Sequence, residues 1–212
     1  MGGCKVMKQV AKDLLEINAV TLSPNKPFTW ASGIKSPIYC DNRLTISYPK
    51  IRKEIAQGIA NLIRDLFPEA QVIAGTATAG IPHAAWIAAE LNLPMIYVRS
   101  KPKDHGQGRQ IEGVVEKGQK TILIDDLIST GGSVLKAVEA AQKEGADVIG
   151  VCGIFSYQLE AAKRNFAAVN IPFVTLTNYS ELIEVAAQNN QITEEDRNLL
   201  HKWREDPKNW LD

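Results

Sequence analysis

The run Thr121-Ile122-Leu123-Ile124-Asp125-Asp126-Leu127-Ile128-Ser129-Thr130-Gly131-Gly132-Ser133 concentrates the chemistry of this chain. An apolar, strand-like stretch delivers two adjacent carboxylates, and a turn of hydroxyls and glycines follows. Glycines let successive backbone N–H groups converge on an anion, and a helix opening at the turn adds positive potential. Ser129, Thr130 and Ser133 can donate hydroxyl hydrogen bonds to phosphate oxygens. The turn is not a Walker loop, because it lacks Gly-Lys-Ser/Thr, and its adjacent glycines do not match the dinucleotide fingerprint. Asp125 and Asp126 would repel a phosphate, so they must serve another group. Pentose hydroxyls suit them, because a carboxylate accepts their hydrogen bonds. The combination reads as a cradle for a ribose 5-phosphate. Its alternative is an acidic strand end closed by a glycine turn, with no ligand.

Two other segments carry polar chemistry. Arg99-Ser100-Lys101-Pro102-Lys103-Asp104-His105-Gly106-Gln107-Gly108-Arg109 is a long basic loop with no helical pattern, and loops of this kind are often lids or disordered. Gly75 to Pro82 is a second small-residue turn between a strand and a helix, with Pro82 in the first helical turn. It could cradle pyrophosphate with backbone groups or be a tight packing turn. His83 is expected on a helix surface or at an interface, His201 in solvent, and Trp30 and Tyr39 in the core or a pocket.

The elements that must position these residues alternate. Val72–Ala74, Met95–Val98, Thr121–Ile124, Val148–Val151 and Phe173–Leu176 are short apolar runs that suit strands covered on both faces. Helical patterns at Pro82–Leu91, Ser133–Lys143 and Leu159–Phe166 separate most of them. Such alternation predicts a Rossmann-like parallel sheet flanked by helices, with right-handed crossovers. Ahead of it lie a helical stripe (Val6, Val10, Leu14, Ile17), strand-like pieces at Phe28–Ala31 and Ile38–Cys40, and a helix from about Pro49. Ile51, Ile55, Ile59, Leu62 and Leu66 are expected to form that helix's buried stripe. Asn178 with Glu181 resembles a capping box, and Thr193 to Trp210 reads as a C-terminal helix. The expected organisation is one domain over 1–212. Residues up to about 45 form a small N-terminal cap, and about 46–212 form the α/β core and C-terminal helices.

Bulk composition narrows the class. With 24 basic and 24 acidic residues in 212, the net charge is zero, which gives no bulk argument for nucleic-acid or membrane partners. No stretch approaches the ~18 apolar residues of a membrane span. Three widely spaced cysteines fit neither a zinc cluster nor a disulfide framework, so a reducing, cytoplasmic setting is expected.

The Thr121–Ser133 run resembles the phosphoribosyl pyrophosphate signature of the type I phosphoribosyltransferases. Phe28-Thr29-Trp30-Ala31-Ser32-Gly33-Ile34-Lys35-Ser36-Pro37, Gly75-Thr76-Ala77-Thr78-Ala79-Gly80-Ile81-Pro82 and Lys103-Asp104-His105-Gly106 narrow it to the orotate phosphoribosyltransferases. The resemblance extends from the cap to the Leu176 strand. It implies the type I phosphoribosyltransferase fold, transfer of phosphoribosyl from phosphoribosyl pyrophosphate to orotate, and products orotidine 5′-monophosphate and pyrophosphate. It implies Mg2+ carried mainly on substrate oxygens, with no protein metal ligand named. It also implies a homodimer in which the Arg99–Arg109 loop reaches the neighbouring active site. Carried over residue by residue, Lys103, Asp125 and Asp126 are the catalytic candidates. Donor-binding candidates are Arg99, Lys103, His105, Asp125, Asp126, Leu127, Ile128, Ser129, Thr130, Gly131, Gly132 and Ser133, and Ser129 also falls to orotate. The chain departs from some members at Ala31, Ala79, Ser100 and Phe155-Ser156-Tyr157, where those carry Lys, Lys, Lys and an Arg. Lys35, Arg43 and Lys101 are the candidates to replace the missing charge.

Two rivals stay in view: a phosphoribosyltransferase for a purine or uracil, and a regulator of this fold that binds nucleic acid. The Phe28–Arg43 cap and the Lys-Asp-His-Gly loop speak against the first. Zero net charge and a single short N-terminal helix speak against the second. Because the chain ends soon after one domain, a fused orotidylate decarboxylase is not expected, although a separate one stays open.

Overall fold

A computed structural model describes residues 2–30, 33–102 and 109–211. Ala31, Ser32 and the segment 103–108, which holds Lys103 and His105, lie outside the described residues. Helix α1 (Gly2–Glu16) buries Val10, Ala11, Leu14 and Leu15, the i, i+1, i+4, i+5 stripe of an amphipathic helix. Two small antiparallel ribbons follow. One pairs β1 (Val20–Leu22) with β4 (Ile38–Cys40), and the other pairs β2 (Phe28–Thr29) with β3 (Lys35–Ser36). A 3-10 segment, Asn42–Ser47, leads to α2 (Pro49–Leu66), which opens with Pro49 in its first turn.

The expected stripe of α2 needs correction at its end. Ile55, Ile59 and Ile63 are buried, whereas Leu66 is 53% exposed. The buried stripe continues from Ile63 to Phe67, four residues on, which packs over Gly150 of the sheet, and Leu66 points off that stripe into water.

The remaining elements alternate as expected: β5 (Val72–Thr76), α3 (Gly80–Leu91), β6 (Met95–Val98), β7 (Ile111–Glu112), β8 (Lys120–Ile128), α4 (Gly132–Lys143), β9 (Asp147–Ser156), α5 (Glu160–Ala168), β10 (Phe173–Asn178), α6 (Tyr179–Gln188) and α7 (Glu194–Glu205). They form a six-stranded sheet of order β10-β9-β8-β5-β6-β7. Every pairing is parallel except that of β7, a two-residue antiparallel edge strand that the sequence reading left as loop. Alternate residues serve opposite faces, as strand geometry requires. Ile73, Ile122 and Ile124 pack with α1, α2, α3, α6 and α7. Val72, Ala74 and Leu123 pack with α4 and α5. After β5 the chain turns toward β6, and after β8 it turns toward β9. The order therefore reverses between β5 and β8, and a crevice opens beyond the carboxyl ends of that strand pair.

Helix ends carry their own signals. Asn178 accepts from the Glu181 N–H at 3.1 Å, one half of the expected box. A complete capping box closes the start of α7 between Thr193 and Asp196, at 3.0 and 3.1 Å. Helix α7 stops at Glu205, and the remaining residues to Leu211 form a turn rather than more helix.

Candidate active site

Strand β8 carries Asp125 and Asp126 just past its last pairing with β5, while it stays paired with β9 as far as Ile128. The Asp126 N–H donates to Asp125 Oδ1 at 3.0 Å, and the buried Asn42 donates from Nδ2 to the Asp126 carbonyl at 2.6 Å. Asp125 is 8% exposed. Burial, reinforced by its neighbour's charge, pushes the Asp125 carboxyl up to about 8. Burial raises Asp126 as well, while its hydrogen bond with Asp125 and nearby Arg43 pull the other way. The pair resists carrying two charges. That eases the repulsion a phosphate would meet, and hydroxyl donors would restore the charged form.

Beyond β8, Gly131 sits at φ +79°, a left-handed conformation that suits glycine. A Cβ there would strike the ring of Phe166 from α5. Asn165 Nδ2, also on α5, donates to the Thr130 carbonyl at 2.9 Å, and the Leu135 N–H to Gly131 O at 3.0 Å. The Ser129–Ser133 turn is thus pinned from below and opens directly into α4. Its unused N–H groups lie at a helix N-terminus.

The second turn stands beside the first. The Ala77 N–H donates to Val98 O at 2.9 Å, and the Ala77–Thr78 peptide is cis. Gly80 opens α3 against β8, where a Cβ would collide with the Ile124 carbonyl, so only glycine allows the two turns to approach. A cavity of about 360 Å³ brings together Thr76, Ala77, Arg99, Ser100, Ser133 and Lys136. Arg99 Nη1 lies 4.0 Å from Glu112 Oε1, half exposed at the mouth of the loop. Sequence reasoning missed Lys136, one turn into α4. Its i+3 spacing from Ser133 was the available signal.

A separate cavity of about 300 Å³, which shares no lining residue with the first, is lined by Thr29, Trp30, Tyr39, Cys40, Leu127, Ser129 and Tyr157. Trp30 and Tyr39 therefore do face a pocket. Trp30 and Tyr157 rings meet at 5.2 Å. Burial raises the Tyr157 hydroxyl well above its usual range, leaving it a neutral donor. Of the proposed replacement cations, Lys35 comes nearest, donating from Nζ to Thr29 Oγ1 at 2.7 Å. Arg43 is held in a two-point pair by Asp41, at 2.6 and 2.8 Å, and Lys101 is exposed outside this cavity. Ser156 ends β9 and Tyr157 follows it, and Ser156 lines a different, larger cavity of about 550 Å³ with Gln158, Lys163, Asn178 and Arg204. Neither aspartate nor any turn residue lines it.

His83 corrects a sequence expectation. It is 1% exposed, on the inner face of α3, edge-on to Trp86, with Nε2 3.4 Å from Thr45 Oγ1. Burial lowers it to about 4, so it is a neutral core histidine. Among the described residues no group of three or more His, Cys, Asp or Glu could hold a metal ion. Two adjacent carboxylates alone suit a cation that keeps most of its oxygens from elsewhere, as magnesium does.

Comparison with known proteins agrees with this geometry. The phosphoribosyl transferase domain family matches residues 46–188. Orotate phosphoribosyltransferase of Enterococcus faecalis is 63% identical over 206 residues, spanning 97% of this chain and 98% of the relative. That of Lactiplantibacillus plantarum is 62% identical, spanning 97% of each. Among solved structures, Leishmania donovani UMP synthase superposes with TM-score 0.79 at 28% identity, over 93% of this chain and 42% of that one. Orotate phosphoribosyltransferase from Aeropyrum pernix superposes with TM-score 0.72 at 24% identity, over 84% and 99%. A signature turn at the sheet's switch point, flanked by two cavities and backed by identity along nearly the whole chain, places the protein in the orotate phosphoribosyltransferases of the type I family.

Proposed function

We propose that this protein transfers the 5-phosphoribosyl group of phosphoribosyl pyrophosphate to orotate, forming orotidine 5′-monophosphate and pyrophosphate in pyrimidine biosynthesis. The observation that carries this is the placement of Ser129 and Ser133. They are four residues apart on one turn, yet Ser129 lines the aromatic cavity and Ser133 the cavity with Arg99 and Lys136. A direct displacement at C1 of ribose needs the incoming base and the leaving diphosphate on opposite sides of the sugar. Two cavities flanking one phosphate-binding turn supply that separation.

In this reading the backbone and hydroxyls of Leu127 to Ser133 hold the 5′-phosphate at the start of α4. Asp125 and Asp126 accept the ribose hydroxyls, and their negative charge favours the cationic sugar as the bond to diphosphate breaks. Arg99 and Lys136, with Lys103 and His105 from the loop, balance the charge of the departing diphosphate. Ser129 hydrogen-bonds orotate while Trp30 and Tyr157, packed against each other, offer its planar ring an aromatic wall. No enzyme nucleophile takes part. Asp125 and Asp126 are the residues that would face a magnesium ion carried on substrate oxygens, and such an ion would supply partial neutralisation of the diphosphate charge.

The Arg99–Arg109 loop closes over the neighbouring subunit's site in a homodimer, which excludes water while the sugar cation exists. The chain is one domain, with about 1–45 as cap and about 46–212 as core and C-terminal helices, and it works in the cytoplasm. Among the described residues no helix is long and apolar enough to cross a membrane.

A spectroscopic assay of orotate consumption with phosphoribosyl pyrophosphate and magnesium tests the proposal. Preferred consumption of adenine, guanine or uracil would overturn it.

A further inference from the structure

We infer that the C-terminal segment is a working part of the base site, with Trp210 a positioning residue for the hairpin that carries Trp30. The inference rests on assigning the aromatic cavity to orotate. The hairpin of β2 and β3 pairs two residues on each side, Phe28 with Ser36 and Thr29 with Lys35. A ribbon this short has no stability of its own and must borrow it. Yet its end, Thr29 and Trp30, lines the same cavity as Ser129.

The support comes from the other end of the chain. Trp210 Nε1 donates to the Lys35 carbonyl at 2.9 Å, across 175 residues of sequence. Lys35 is the register partner of Thr29, so this bond acts one residue from Trp30. Trp203, fully buried on α7, packs edge-on against Trp30 at 5.7 Å and against Tyr157 at 5.8 Å. Its own N–H has no partner among the described residues, so the directional contact is Trp210's alone. The tail is not a loose end. After α7 stops, Asp206 caps the turn by accepting from the Lys208 N–H at 3.2 Å and from Asn209 Nδ2 at 2.9 Å, and Trp210 is 7% exposed.

Both partners fall outside residues 46–188, the part shared with the wider domain family. The donor site belongs to the shared part. The wall that faces the base is built by the two segments that flank it, joined to each other. A rigid indole with a single donor is suited to hold a short hairpin at a fixed distance from the rest of the pocket.

The test compares Trp210→Phe, a chain ending at Pro207, and Ser129→Ala with the unaltered enzyme, measuring KM for orotate and for phosphoribosyl pyrophosphate separately. Trp210→Phe keeps the ring and loses the donor, so KM for orotate is expected to rise about three- to tenfold, the worth of one hydrogen bond. The shortened chain should show a larger rise. KM for the donor should stay within about twofold in both, since a merely structural loss would move both constants together. An unchanged KM for orotate in Trp210→Phe, or a parallel rise in both constants, overturns the proposal. If Ser129→Ala moves KM for orotate and Trp210→Phe does not, the cavity assignment stands and only the role of Trp210 falls. If Ser129→Ala also leaves it unmoved, the cavity assignment fails and the positioning role fails with it.

Discussion

The two sides of this site are built in opposite ways. On the donor side, Asp125 to Ser133 is one uninterrupted strand, turn and helix start, and what it offers an anion is mostly backbone. On the base side, Trp30, Tyr39, Ser129 and Tyr157 come from four separate places in the chain, and what they offer is side-chain surface. A phosphate asks for converging N–H groups, which a single turn can supply. A flat, partly apolar ring asks for walls at a set spacing, and no single turn has two walls. In the proposed reading, phosphate recognition is therefore local in sequence, diphosphate recognition adds Arg99 and Lys136 from other segments, and base recognition is assembled by the fold.

The largest expected effect lies on the donor side. Lys103→Ala should lower turnover on the order of 10²–10³-fold, as for loss of one transition-state donor, with unfolding unchanged because its sequence neighbours are polar. Near-normal turnover would remove it from the mechanism. Replacing both Asp125 and Asp126 by Asn should raise KM for phosphoribosyl pyrophosphate at least about tenfold and leave KM for orotate within about twofold. An effect confined to orotate would reverse the division between the two sides.

The same carboxylates carry a stability signature. Asp125 ionises in the unfolded chain near its ordinary value, about 4, but in the fold only near 8. Its burial therefore destabilises the fold increasingly as pH rises through that window. Asp125→Asn should melt higher than the unaltered protein at pH 8, by on the order of 5 °C or more, with the gain vanishing toward pH 4. His83 acts at the acid end. Its folded value near 4 lies below the usual 6.5, so stability is lost as pH falls through that interval, and His83→Gln should blunt the loss.

Asn42 sharpens the comparison from the boundary between the sides. It lies in the N-terminal segment, yet it grips the Asp126 carbonyl. Asn42→Ala leaves that carbonyl unsatisfied and should raise donor KM about three- to tenfold, more than it raises orotate KM. The smallest effect is expected from Lys35→Ala, about twofold on orotate KM, because its ammonium is exposed and bonded to Thr29. A larger change would show that Lys35 supplies the charge missing at Ala31 and Ala79.

The legible parts of the chain were those whose pattern is longer than their surroundings can override. Strand β8 reads directly as the apolar run Thr121–Ile124 leading to two carboxylates, although it extends to Ile128, and α4 as the helical pattern Ser133–Lys143, one residue short of its start. The alternation that follows leaves little but a parallel sheet. The hidden parts share a cause. Strands β3 and β7, of two residues each, are too short to show a period. Leu66 keeps a helical spacing of apolar residues but lies off the stripe through Ile59, Ile63 and Phe67 that the packed helix buries. His83 reads as a surface residue until Thr45 and Trp86 close over it. Lys136 has no motif of its own, and only the approach of β5 to α4 brings it beside Thr76.

By itself, then, the order of residues determined the phosphate turn, the acidic pair and the strand–helix rhythm, because each depends on neighbours a few positions away. Tertiary structure alone decided which aromatic rings face the base and that Trp210 reaches Lys35. It also decided that Asp125 is buried deeply enough to resist ionising. Contact between distant segments and exclusion of water are properties of the packed chain, and no short window of sequence contains them.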